Sequence, residues 1–145
     1  MSSKREQVLE GVKAMFIAAL GSGADVARNR DAPQRVGPGG NVIIRDGDPG
    51  EPDVQLSPLS YTYAHRIVFE LAAYESTLKT REEVLDDMLG AIGAAVAADR
   101  TLGGLCEWLE PEAPSPDDAD PMGSAAIRWT SAGLIAVYST PNPLT

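Results

Sequence analysis

The chain has 145 residues, 43% of them hydrophobic, enough for one packed core and too many for a disordered segment. Its 21 acidic and 12 basic residues give a formal charge of −9, which argues against binding nucleic acid by phosphate neutralisation, since the basic candidates (Lys4-Arg5 and the scattered Arg28, Arg30 and Arg35) are thin. The single cysteine, Cys106, excludes an internal disulfide framework and fits a reducing compartment, and no stretch approaches the roughly 20 apolar residues of a membrane span.

Residues 1–10 carry charge without a signal-type apolar block, so neither a secretion signal nor a lipid anchor is expected. Residues 3–20 predict a helix. Val8, Val12, Met15, Phe16, Ala19 and Leu20 recur at helical spacing, and Lys4, Glu6, Glu10 and Lys13 fall on other faces. Gly21 and Gly23 end it. A short strand is expected at 24–29, a Pro/Gly loop at 30–40, a β-branched strand at 41–45 and a second loop at 46–53.

Residues 61–74 give the clearest strand signal. Tyr61, Tyr63, His65, Ile67, Phe69 and Leu71 share one parity, and Thr62, Ala64, Arg66, Val68 and Glu70 the other. Residues 80–99 predict the second helix. Thr80-Arg81-Glu82-Glu83 reads as a capping box, and Val84, Leu85, Met88, Leu89, Ile92 and Val96 form one stripe. Gly90 and Gly93 suggest close approach of a neighbouring element. A turn at 101–104 leads to a strand at 105–110, an acidic loop with four prolines at 111–123, and a last strand region at 125–140. In that region Ile127 and Trp129 share one parity, while Leu134, Ala136 and Tyr138 share the other. Either a bulge near Gly133 or two partly buried faces would reconcile them. The tail at 141–145 reads as extended. The order of elements implies a single α+β domain, an antiparallel or mixed sheet with two amphipathic helices packed on one face.

No catalytic constellation emerges. His65 is the only histidine and sits mid-strand with no local signature, and Cys106 beside Trp108 reads as a small buried hydrophobe. Asp46-Gly47-Asp48 and Asp117-Asp118-Ala119-Asp120 offer oxygens but lack calcium-loop spacing, so no metal is expected. Gly37-Pro38-Gly39-Gly40 and Gly103-Gly104 match no phosphate-binding fingerprint, so no cofactor is expected. What remains is organisation for contact. The Pro/Gly-rich loops, with Arg30 and Arg35, and the strand residues Tyr61 and Tyr63 are the candidate interface residues.

The N-terminal helix ending in Ala18-Ala19-Leu20-Gly21, the long alternating strand, the turn Asp99-Arg100-Thr101-Leu102-Gly103-Gly104-Leu105 and the closing Ala136-Val137-Tyr138-Ser139-Thr140-Pro141 are similar to a known family. Together these features, spanning nearly the whole chain, resemble the tail terminator, or minor tail, proteins of long-tailed bacteriophages and prophages, of the lambda U type. The resemblance implies a small α+β domain that forms a hexameric ring, monomeric or already assembled in isolation. It implies the major tail tube protein and the head–tail connector protein as partners. It implies residence in the virion tail, and in the host cytoplasm during assembly, with no catalytic residue to carry over. The acidic loop at 111–123 has no place in it. The alternatives are another phage neck or head-completion protein, a bacterial adaptor, and a small oligomeric enzyme with a site between subunits. A pocket gathering His65, an arginine and a carboxylate would favour the enzyme.

Overall fold

The computed structural model describes residues 2–30, 39–75, 77–116 and 127–145. It is α+β. Helix α1 (Lys4–Leu20) leads through a short 3-10 turn to β1 (Asp25–Arg28), β2 (Asn41–Asp48), β3 (Asp53–Leu56) and β4 (Leu59–Tyr74). Helix α2 (Arg81–Ala98), a second 3-10 turn (Leu102–Gly104), β5 (Trp108–Pro116) and β6 (Ile127–Thr140) follow. The sheet runs β1-β2-β4-β6-β5, and β3 pairs with the first residues of β4. It is mixed: β1 and β2 are parallel, and the other pairs are antiparallel.

Both helices cover one face. Val8, Leu9, Val12 and Phe16 of α1 and Leu85, Met88, Ile92 and Val96 of α2 are buried in one cluster with Ile67, Phe69, Leu71, Leu134, Ala136 and Tyr138 of the central strands. Phe16 meets Phe69 edge to face, with ring centroids 4.9 Å apart, which pins α1 to β4. The start of α2 follows the sequence signal, and α1 starts on a cap that the sequence reading did not name. Ser3 caps α1 by accepting from the Glu6 amide, and Thr80 caps α2 by accepting from the Glu83 amide.

Several expectations need correction. The strand expected at 105–110 starts at Trp108, and residues 111–116, read as the head of a loop, continue it through Pro111, Pro114 and Pro116. Proline lacks an N–H to donate, yet β5 is an edge strand with only one neighbour, so the loss is tolerated. The rest of that acidic loop, including Asp117, Asp118 and Asp120, lies outside the described residues. The loop expected at 46–53 is shorter, because β2 runs on to Asp48 and β3 begins at Asp53. The long strand begins at Leu59, not at residue 61.

In β6 the register against β4 is unbroken from Tyr61↔Thr140 to Tyr74↔Ile127. No bulge therefore occurs at Gly133 in that pairing, and Ile127 and Trp129 lie half-buried on the second face. Gly90 and Gly93 do not serve close packing, since a Cβ on either would meet nothing. Among the helix glycines the close approach is at Gly11, whose added Cβ would lie 3.1 Å from the Leu105 side chain. The tail turns back instead of extending: the Thr145 amide donates to the Asn142 carbonyl, and the Lys4 amide donates to the Thr145 carbonyl.

Candidate interaction surface

The core face of β4 does not stop where the helices stop. Odd residues of β4 point to the helices, and that parity continues outward through Tyr61 to Leu59. Across the pair, Val54 of β3 faces Tyr61 and Leu56 faces Leu59, joined by a two-residue turn with a cis Ser57-Pro58 peptide. The result is an apolar stripe outside the helical cover. Leu56 is 81% exposed, Val54 51% and Leu59 47%, and Tyr61 is half-buried at the base. An apolar stripe on a hairpin tip of an otherwise acidic chain is the kind of patch that marks contact surfaces.

Of the sequence candidates, Tyr61 belongs to this stripe. Tyr63 shares its face but is only 8% exposed and packs against Tyr138, with ring centroids 5.8 Å apart, so its ring is core and cannot be an exposed anchor. Arg30 lies elsewhere, just after the edge strand β1 and ion-paired with Asp25, and the structure does not bring it to the tyrosines. Arg35 lies outside the described residues. The sequence reading missed Val54, Leu56 and Leu59. The signal was present: Val54 and Leu56 alternate before Ser57-Pro58, and Leu59 and Tyr61 alternate after it.

Behind the hairpin, a β-bulge organises the polar interior. Arg45 pairs with Val68 and Asp48 with Arg66, so Asp46 and Gly47 together face one residue of β4. Gly47 takes φ +68°, and a Cβ there would lie 2.3 Å from the Arg66 carbonyl oxygen, so the position demands glycine. The bulge aims both ends of Asp46. Its carbonyl accepts from His65 Nε2 at 2.5 Å, and its carboxylate accepts from the Arg28 guanidinium at 2.9 Å.

His65 is fully buried, with both ring nitrogens engaged. A carbonyl can only accept, so Nε2 carries the proton, and Nδ1 is left to accept from the Tyr138 hydroxyl at 2.9 Å. Burial holds the imidazole below its ordinary pKa and pushes Tyr138 up to about 12. A histidine committed at both nitrogens has no lone pair free for substrate.

Arg28 is the other interior junction. It bonds Glu6 and Glu10 of α1 and Asp46 of β2, tying the helix to the sheet edge. The hydrogen bond that Arg28 donates to Glu6 is the main cause lowering the Glu6 pKa, and the same bond is the main cause raising the Arg28 pKa.

The other polar motifs also have local work. Both Asp99 carboxylate oxygens are taken by the turn, one by the Thr101 amide and hydroxyl and one by the Gly103 amide. Gly103 and Gly104 supply the positive φ values the turn requires. Cys106 is 6% exposed, and burial raises its thiol pKa, which disfavours the thiolate. The Asp48 carboxylate accepts from the Gly50 amide. Among the described residues, no group of three or more His, Cys, Asp or Glu side chains is placed to hold a metal ion. No helix among them is long and apolar enough to cross a membrane. No protein-family model matches the chain, and no curated protein matches it.

Proposed function

We propose that this chain works by contact and not by catalysis, as a tail terminator of a long-tailed phage or prophage. Copies close into a ring on the last layer of the tail tube, block further addition of tube subunits and present the surface that joins the head. The observation that carries the contact reading is the β3–β4 hairpin, where the core stripe emerges as exposed Val54, Leu56 and Leu59. The commitment of His65 to Tyr138 and Asp46 supports it from the other side, since the chain's only histidine is used to hold the fold. The assignment to a tail rests on the sequence resemblance carried by the turn at 99–105 and the closing segment at 136–141.

A closed ring of identical subunits needs two different patches per copy, joined head to tail. The partners in this reading are further copies of the chain, the major tail tube protein and the head–tail connector protein. Deleting the gene from an inducible prophage is the test. Headless tails of uncontrolled length by electron microscopy are the expected result, and normal tails joined to heads would end the reading.

A further inference from the structure

The described part of this acidic chain has eleven basic side chains, and eight of them stand in ion pairs. The three that do not are Lys4, Arg5 and Lys13, all on α1. Lys4 and Arg5 sit in the first turn, where the helix dipole already favours negative charge, and both line a cleft of about 140 Å³. Pro49, Gly50, Tyr63, Tyr138 and Thr145, whose oxygen accepts from the Lys4 amide, are among the other residues that line it.

A second observation is independent of the helix end. Tyr63 is more than nine-tenths buried, and its hydroxyl makes no hydrogen bond among the described residues. It is not sealed in, because no fully enclosed side-chain oxygen or nitrogen among the described residues lacks a partner. The Tyr63 oxygen therefore keeps some open surface, and Tyr63 is one of the residues that line the cleft. Its neighbour Tyr138 already donates its hydroxyl hydrogen bond to His65, so Tyr63 is the phenol with a hydrogen bond still to donate. Asp48, the last residue of β2, has its carboxylate engaged by the Gly50 amide.

From this we infer that the cleft between the start of α1 and the β2–β3 loop is a carboxylate-binding site, filled by an acidic side chain of a second copy of the chain. The Arg5 fork matches the two oxygens of a planar carboxylate, Tyr63 donates a third hydrogen bond from below, and Lys4 adds charge at the rim. The occupant follows from charge. A chain of formal charge −9 has 21 acidic side chains, and Lys4 and Arg5, which stand in no ion pair among the described residues, share this cleft, so each copy offers both halves of a heterologous contact. This occupant rests on the self-assembly proposed above.

The test uses the full-length protein in two arms. In the first, NMR titration at constant ionic strength compares sodium acetate with sodium phosphate. A saturable acetate shift centred on Arg5 and the Tyr63 ring, absent in Arg5→Gln, is expected. No saturable shift, or one with phosphate alone, overturns the carboxylate site. In the second arm, sedimentation velocity over a concentration series compares wild type with Arg5→Gln, Tyr63→Phe and the control Lys13→Gln. Arg5→Gln should weaken self-association by about tenfold or more, and Tyr63→Phe by about threefold to tenfold. Lys13→Gln should leave it unchanged. Tyr63→Phe keeps the ring that packs on Tyr138, so it separates the hydroxyl from the fold. Wild-type association that Arg5→Gln and Tyr63→Phe leave untouched overturns the cleft as a contact while the assembly reading stands. Acetate binding in a chain that never associates overturns the second copy as occupant, while the gene deletion still decides the assembly reading.

Discussion

His65 couples the fold to pH through a single proton. An unfolded histidine titrates near ~6.5, whereas buried His65, with Nδ1 already accepting from Tyr138, resists protonation until lower pH. Below ~6.5 the unfolded chain therefore binds the proton first, and stability falls with pH until the folded value is reached. Above ~6.5 the residue contributes no pH dependence. Urea unfolding should show stability falling as pH drops from 7.5 to 5.5, and His65→Gln should flatten that window. An unchanged slope in the variant would assign it to other groups. Gly47 is the second decisive residue. Gly47→Ala forces a left-handed backbone on a Cβ set against the Arg66 carbonyl, and should destabilise by about 2 kcal/mol or more by denaturant midpoint. The lone His65 in an alternating strand was legible in the sequence as a structural residue. The Tyr138 and Asp46 partners were not, because they are 73 and 19 positions away and depend on a bulge that no local pattern announces.

The elements with strong local chemistry were legible, and those whose character depends on sheet position were not. The ends of α2 could be read from Thr80 and the apolar stripe, because capping and helical periodicity act over a few residues. Thr80→Ala should therefore cost about 1 kcal/mol, within the 0.5–2 kcal/mol span typical of caps, as a shift in denaturant midpoint without a change in slope. The prolines of β5 argued for a loop. They fit a strand only because β6 pairs with one side of it, and an edge position cannot be seen from within the segment. The β3 strand gave only a short signal: Val54 and Leu56 alternate with polar residues over four positions, and tertiary burial does not reinforce the pattern because all four are exposed. The exposed glycines of α2 give the converse case. Gly90→Ala and Gly93→Ala meet open space and should each raise stability by about 0.5–1 kcal/mol in thermal or urea unfolding. Loss of stability in either would mean that something packs on that face.

For the whole molecule, two opposing terms decide whether copies meet. A stripe bearing Leu56 and Leu59 favours burial, and two bodies of charge −9 repel. With centres about 30 Å apart, the repulsion is on the order of 1 kcal/mol at about 0.05 M salt and nearly gone at about 0.3 M, where the screening length is several-fold shorter than that separation. A surface ion pair such as that proposed for Arg5 loses only about half as much over the same range. Raising salt should therefore strengthen self-association severalfold in sedimentation velocity, although it weakens the individual charged contact. The apolar stripe supplies the part that salt cannot screen. Leu56→Ser removes an 81% exposed side chain, so it should leave the unfolding midpoint within about 0.5 kcal/mol of wild type. It should nonetheless weaken association at every salt concentration. If Leu56→Ser associates like wild type, the hairpin is not the contact. If it unfolds much earlier, the side chain carries a packing role that its exposure denies.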